Sequence, residues 1–205
     1  MDYADEKILG KAVVLKERFR EIVSDPINVL IERVPNAGYL DSDKKVILHN
    51  GIRVPVGGEL AYYGEFSDIL VINRGVHEPL EEYCFQELLS RLQTESGEHT
   101  MLELGAYWGH YSLWFSKCLR KTSCVLVEPE IKNLESGKEN FANNGYSGKF
   151  INQFVAKDAF TVDDFMRDNA CSCPELTLLH SDIQGYGEEM LVSSKQTLSM
   201  KKSSI

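Results

Sequence analysis

A short, mostly apolar segment that runs into two closely spaced glycines constrains the fold of this chain most strongly. Residues 100–104 have the composition of a buried strand. Gly105 permits a sharp turn after that strand, and Gly109 lets the backbone come close to a ligand where the chain enters a helix. A strand, a glycine turn and a helix N-terminus together surround a pocket with backbone N–H groups and a positive dipole end. An ordinary strand-to-helix turn fits the same residues, so this stretch alone leaves both interpretations open.

A second signal follows one strand–helix–strand unit later. Cys124 to Val127 form another apolar strand, which ends in Glu128 and Pro129. In a doubly wound sheet, an acidic residue at the end of the second strand accepts hydrogen bonds from ribose hydroxyls. Pro129 removes a backbone donor and opens the loop before the next helix. The glycine turn and Glu128 are more specific together than either feature alone.

The spacing of the glycines distinguishes between cofactors. A dinucleotide site needs G-x-G-x-x-G so that the helix start can meet a pyrophosphate. Here Tyr107 stands where the middle glycine would be, and its bulk disfavours a nicotinamide-dependent oxidoreductase. The sequence also contains no G-x-x-x-x-G-K-[ST], which excludes a P-loop. S-adenosylmethionine has a ribose and an adenine but no phosphate, and it tolerates this looser loop.

Three motifs occur in order along the chain: Glu103-Leu104-Gly105-x-x-x-Gly109, Glu128-Pro129, and Leu178-Leu179-His180-Ser181-Asp182-Ile183-Gln184-Gly185. This combination resembles the FkbM group of class I S-adenosylmethionine-dependent methyltransferases, over roughly residues 75–198. The resemblance implies methyl transfer, most often to a hydroxyl oxygen of a sugar, a macrolide or another natural product. The family commonly has Lys-x-Asp-x-Glu-Gly at the position of the third motif. In this chain His180 replaces the Lys and Gln184 replaces the Glu. That departure leaves the identity of the catalytic base open.

The predicted cofactor-binding residues lie at the ends of the core strands: Glu103, Gly105, Ala106, Tyr107, Gly109, Glu128, Pro129, Asp158 and Asp182. We expect Glu103 to help hold the methionine amino end, directly or through water, and Glu128 to take the ribose hydroxyls. Asp158 is a candidate for the exocyclic amine of adenine, and a solvated loop carboxylate is the alternative. Trp108 is expected, with Tyr107, to wall the pocket, and a core position is equally consistent with its size.

Methyl transfer to a neutral hydroxyl needs alignment and a proton acceptor. His180 and Asp182 are the candidate catalytic residues at the end of the fourth core strand, where alternate residues share one side. A histidine suits a base near neutral pH, and an aspartate there would orient it, bind the acceptor or hold a divalent metal. Alternatively, His180 and Asp182 are a hydrogen-bonded polar pair at a strand end with a structural role only. We expect no zinc site, because Cys171 and Cys173 lack a second pair or a nearby histidine.

Strands and helices alternate from residue 100 onward, which indicates a parallel α/β sheet with right-handed crossovers. The predicted strands are 100–104, 123–128, 149–155 and 176–181; the predicted helices are 109–120, 130–144, about 161–168 and 186–198. The family resemblance implies a Rossmann-like methyltransferase sheet with helices on both faces and the class order 3-2-1-4-5-7-6. Residues for strands five to seven are lacking, so we expect either a truncated form of a longer chain or a hairpin that partly covers the open edge. A catalytically incompetent cofactor-binding module is the alternative function.

Residues 1–75 form an N-terminal extension, and residues 76–205 form the predicted cofactor-binding domain. The extension contains a predicted amphipathic helix over 5–24, a short helix that Asp25 caps and that runs from Pro26 to Ile31, and a hairpin around Asn50-Gly51. A further short helix is predicted over 65–73, and a longer one ends at Leu92. We expect the amphipathic helix to have a packing role, and a homodimer contact or a lid is the alternative.

The composition of the chain argues against several classes of binding partner and location. The formal net charge of −9 argues against general binding to nucleic acid. The acidic start of the chain and the lack of a long apolar run argue against a signal peptide and a membrane span. Five scattered cysteines fit a reducing, cytoplasmic setting. We therefore expect a small-molecule or glycan acceptor as the partner.

Overall fold

The chain divides into two units, Met1–Arg91 and Leu92–Ile205. The structure is a computed structural model that describes residues 16–62, 64–170 and 176–200. Cys171, Cys173 and the part of the predicted helix before residue 16 lie outside the described residues. None of the helices in the described part of the chain has the length and apolarity needed to cross a bilayer.

The first unit combines short helices with one hairpin. Its elements in chain order are α1 (16–24), a 3₁₀ turn (Pro26–Val29), β1 (Lys45–Ile47), β2 (Arg53–Pro55), a second 3₁₀ turn (Gly64–Asp68), α2 (Ile69–Ile72) and α3 (Pro79–Leu92). The predicted hairpin is confirmed, with Val46 opposite Val54 in an antiparallel pair. Asp25 caps the first 3₁₀ turn by accepting the Ile27 N–H at 2.9 Å, although the predicted helix there is shorter than expected. The units divide at the end of α3, whereas the sequence-based boundary at 75/76 precedes that helix.

A fully buried carboxylate ties the hairpin turn to the start of α3. Glu82 has its Oε2 2.9 Å from His49 Nε2 and its Oε1 2.6 Å from His77 Nδ1. Its Oε1 also accepts the backbone N–H groups of His77 at 2.8 Å and Glu78 at 3.0 Å. Burial favours the neutral acid, but the attraction of His77 and His49 holds the pKa of Glu82 well below its ordinary value. Burial likewise opposes a charge on His77, but Glu82 outweighs it and raises the pKa of that imidazole.

We expect Glu82→Gln to destabilise the folded protein by about 3–5 kcal/mol, because it removes the buried carboxylate that contacts both His49 and His77. The lowered pKa of Glu82 contributes stability above the unfolded glutamate pKa of about 4.3, and that contribution disappears as the pH falls through the folded value. The raised pKa of His77 contributes stability below the unfolded histidine pKa of about 6.5, and that contribution disappears as the pH rises through the folded value. The difference in unfolding free energy should therefore be largest between those two values.

Urea denaturation of both proteins across that pH range measures this difference. Glu87→Gln is the matched control, since Glu87 lies exposed on the same helix. A pH-independent difference, or an equal loss in the control, would show that the buried charges do not contribute in this way.

The second unit is a parallel α/β sheet. Its elements in chain order are β3 (His99–Leu104), α4 (His110–Cys118), β4 (Thr122–Val127), α5 (Ile131–Asn143), β5 (Lys149–Ile151), α6 (Val162–Asp168), β6 (Leu178–Ser181), α7 (Gly187–Ser193) and α8 (Lys195–Met200). The strand order β5-β4-β3-β6 is the predicted 3-2-1-4 order. In this register Glu103 lies opposite Leu126 on one side and His180 on the other.

Alternate side chains of the strands pack on opposite faces of the sheet. Leu102 and Val125 belong to a buried cluster that includes Phe165 of α6 and Met190 of α7. On the other face, the Cys124 Sγ lies 3.2 Å from the Ser116 Oγ of α4. Helices therefore cover both faces, and the predicted fold class is confirmed for this unit.

In the second unit, the predictions for one strand and one helix were wrong in extent. The strand predicted over 149–155 ends at Ile151, because the Asn152 side chain turns to the carbonyl oxygens of the preceding strand's loop. The helix predicted over 186–198 is two helices separated at Ser194. The Asp163 carboxylate accepts the N–H groups of Gln196 at 3.0 Å and Thr197 at 2.8 Å, which satisfies the start of α8 as a separate helix.

Candidate functional site

The turn between β3 and α4 lies at the carboxyl edge of the sheet, beside the switch in strand order. The N–H groups of Gly105 and Ala106 both donate to the Val127 carbonyl, at 2.9 and 3.1 Å. Gly105 has φ +72°, and a β-carbon there would overlap the backbone carbonyl of Asp182. Gly109 has φ +75°, and a β-carbon there would lie 3.0 Å from Leu126 Cδ2. Both predicted glycines are thus required by close packing within the protein, while their approach to a cofactor stays a prediction.

Tyr107 and Glu128 join the turn to the next strand. Tyr107 adopts φ +46°, an uncommon backbone conformation for a residue with a side chain. Its N–H donates to the Glu128 Oε2 at 2.9 Å. Glu128 is only 5% exposed, so this hydrogen bond is largely shielded from water. The acidic residue predicted for the second core strand therefore lies directly against the glycine turn.

The Glu128 carboxylate has further partners within the chain. Its Oε1 accepts the Glu130 N–H at 3.0 Å and the Asn133 side-chain amide at 3.3 Å. The Asn152 side-chain amide donates to the carbonyl oxygens of Glu128 at 2.9 Å and Pro129 at 2.8 Å, which fixes this loop. A carboxylate offers about four acceptor positions, and three donors occupy them here. These three donors leave one acceptor position of the carboxylate for a further donor, and the Asn133 hydrogen bond is the longest of the three.

Glu103 lies between the helix start and β6. Its side chain is 2% exposed, and its Oε2 accepts the Ser112 N–H in the first turn of α4 at 3.1 Å. Its Oε1 lies 3.9 Å from His180 Nδ1. The His180 ring packs on Tyr111, with 4.4 Å between the ring centroids, and 15% of its side chain is exposed. The predicted contact of Glu103 with a methionine amino group stays a prediction.

The other predicted residues differ in exposure. Asp182 is exposed just beyond β6, and its backbone N–H donates to the Leu104 carbonyl at 2.9 Å. Asp158 lies in an exposed turn, between the bridged residues Val155 and Phe160. Trp108 is buried and stacks on His110, with the centroids 5.1 Å apart. The structure thus brings Glu103, His180 and Glu128 to one edge of the sheet as buried or partly buried groups, while Asp158 and Asp182 are solvated.

Sequence reasoning missed the polar side chains that support this edge. Asn133 and Asn152 both bind the Glu128 segment, and Tyr111 packs on His180. A signal existed for Asn152, because it directly follows a core strand at the edge where ligands bind. The prediction of a longer strand concealed that signal.

We expect Gly105→Ala to destabilise the protein more than Gly145→Ala. Both glycines have nearly the same positive φ, +72° and +75°, so each substitution costs about 1–2 kcal/mol of backbone strain. Only the β-carbon at residue 105 meets backbone, which adds about 1–3 kcal/mol of overlap. Chemical denaturation of the two variants measures the difference. Equal losses would contradict the close approach of Asp182 to the turn.

The strand order and the glycine turn place the second unit in the Rossmann-like α/β class. No family model matches the chain, and no curated protein matches it either.

Similar solved structures include an S-adenosylmethionine-dependent methyltransferase from Agrobacterium tumefaciens, with 18% identity and a TM-score of 0.41 over 54% of this chain and 33% of that one. The YcgJ protein from Bacillus subtilis has 23% identity and a TM-score of 0.28 over 33% of this chain and 29% of that one. A tRNA (uracil-54, C5)-methyltransferase from Pyrococcus abyssi, in complex with S-adenosyl-L-homocysteine, has 14% identity and a TM-score of 0.30 over 40% of this chain and 20% of that one. The chain therefore spans a third or less of the length of each of these proteins.

Proposed function

We propose that this protein binds S-adenosylmethionine at the carboxyl edge of its parallel sheet and methylates a hydroxyl group of a sugar or natural-product small molecule. The observation that carries the proposal is the hydrogen bond between the Glu128 carboxylate and the Tyr107 N–H. It joins an acidic residue at the end of one core strand to the glycine turn at the end of its neighbour. This is the place where open α/β sheets bind ligands.

The chemistry of the turn favours a nucleoside without a diphosphate. The N–H groups of Gly105 and Ala106 already donate to Val127, and that of Tyr107 donates to Glu128. A pyrophosphate would need such donors, and it would meet a negative carboxylate in their place. Ribose hydroxyls are hydrogen-bond donors, which is the chemistry that a buried carboxylate accepts.

Each residue has a distinct task in the proposed reaction. When bound, S-adenosylmethionine supplies an electrophilic methyl group on a sulfonium. Glu128 holds the ribose, and Asn152 keeps the Glu128 loop in place through its two carbonyl hydrogen bonds. His180, at the end of β6, takes the proton of the acceptor hydroxyl. Alignment of the hydroxyl with the methyl group supplies much of the rate enhancement in such a substitution.

Calorimetry tests the cofactor assignment. We expect wild-type protein to bind S-adenosylhomocysteine and S-adenosylmethionine, and to bind NAD much more weakly. Glu128→Ala should weaken S-adenosylhomocysteine binding by about 1–3 kcal/mol, because it removes charge-assisted hydrogen bonds. That loss corresponds to about a tenfold to hundredfold rise in Kd.

Glu139→Ala is the matched control, since Glu139 is an exposed glutamate on the helix that follows Glu128. Its binding should equal that of the wild type. Tighter binding of NAD than of S-adenosylhomocysteine, or unchanged binding in Glu128→Ala, would overturn the assignment. Tight binding of S-adenosylhomocysteine without turnover on any sugar or natural-product hydroxyl tested would leave the cofactor assignment and overturn the proposed reaction.

A further inference from the structure

We propose that Glu103 is a positioning residue for His180. The buried Glu103 carboxylate keeps the Nδ1–H of the His180 imidazole directed towards it, so that Nε2 accepts the proton of the acceptor hydroxyl. This inference rests on the proposed function for its role in catalysis, but its geometry can be tested without the cofactor. It assigns the orienting carboxylate to Glu103 of β3, whereas sequence reasoning suggested Asp182.

The sheet register brings the two side chains together. Glu103 and His180 are directly paired across the parallel strands β3 and β6, so their side chains point to the same face. The Oε1 of Glu103 lies 3.9 Å from Nδ1 of His180, which is within ion-pair distance but longer than a hydrogen bond, and that nitrogen is buried. Asp182 lies beyond the end of β6 and is exposed.

The other contacts of Glu103 and His180 restrict their motion. The second oxygen of Glu103 accepts the Ser112 N–H at 3.1 Å, which fixes the carboxylate against the start of α4. Tyr111 of the same helix turn covers one side of the His180 ring, at 4.4 Å between centroids. The His180 side chain is nevertheless 15% exposed, so part of the ring faces the solvent at the ligand-binding edge. These contacts set the ring orientation before a substrate arrives.

The groups around His180 bear on its proton affinity. Glu103 faces it from β3, Tyr111 faces it from α4, and Asp182 follows it along its own chain. Cys124 of β4 is an electrostatic neighbour of Glu103, and burial raises the pKa of that thiol to about 12, so it stays neutral. A carboxylate within about 4–6 Å favours the protonated form of an imidazole.

In the proposed reaction, the acceptor hydroxyl oxygen would form a bond to the methyl carbon as the carbon–sulfur bond breaks, with the electron pair of that bond remaining on sulfur. The hydroxyl proton passes to Nε2 of His180, which becomes an imidazolium beside the Glu103 carboxylate. The proton then leaves to solvent through the exposed part of the ring, which restores the neutral imidazole.

Nitrogen NMR of the histidine side chains tests the pairing in the cofactor-free protein. The chain has five histidines, and His180→Gln identifies the His180 resonances by their loss. We expect neutral His180 to carry its proton on Nδ1, and we expect Glu103→Gln to lower the pKa of His180 by about one pH unit. Glu98→Gln is the control, because it also removes a carboxylate charge next to β3, but at an exposed position at the opposite end of that strand from His180. It should leave the pKa of His180 unchanged.

Glu103→Asp is a second variant, which keeps the negative charge. The pKa of His180 in this variant should stay close to its wild-type value. Two results would overturn the inference. One is a neutral His180 imidazole in the wild type that carries its proton on Nε2, and the other is a His180 pKa that is the same in Glu103→Gln as in the wild type. Failure of S-adenosylhomocysteine to bind would instead overturn the proposed function and leave this pairing intact.

Discussion

Two buried carboxylates hold the turn between β3 and α4, and the rest of the candidate site depends on them. Glu128 reaches from the end of β4 to the Tyr107 N–H, and Glu103 reaches from β3 itself to the Ser112 N–H. Burying a carboxylate is costly unless hydrogen bonds replace its water, and the backbone donors of a turn and a helix start supply them. The turn is therefore fixed from two strands at once. Because these carboxylates lie at the edge where open α/β sheets bind ligands, the groups that stabilise the turn would also determine the chemistry of the proposed site.

The glycines of the turn make this arrangement possible, because they allow neighbouring segments of the chain to pack closely against the turn. At Gly105 the end of β6 approaches the turn so closely that a β-carbon has no room, and this brings His180 and Asp182 beside the end of β3. The first N–H groups of the turn are then used within the sheet. The site consequently presents acceptors where a dinucleotide site presents donors, which is why we favour a nucleoside sulfonium over a diphosphate.

Local sequence patterns predicted the hairpin at Asn50-Gly51 and the position of Glu128, because both depend on apolar runs and turn residues that are close in the chain. The strand order was an expectation from the family resemblance, since neighbouring strands of a parallel sheet are distant in sequence. The side-chain amides of Asn133 and Asn152, and the pairing of Glu103 with His180, could not be predicted in this way. They depend on the register of strands that are distant in sequence and on which loops come within hydrogen-bonding distance. The burial of Glu82 between His49 and His77 was missed for the same reason, since its position on α3 looks like an ordinary charged first turn.

The most direct test of the account is the amide spectrum of ¹⁵N-labelled protein during titration with S-adenosylhomocysteine. The N–H groups of Tyr107 and Glu130 both donate to the Glu128 carboxylate, so ribose binding there must change their hydrogen bonds. We predict that both amides shift saturably and with the same Kd. Saturable binding that leaves both amides unmoved would contradict the claim that Glu128 and the glycine turn form the cofactor site.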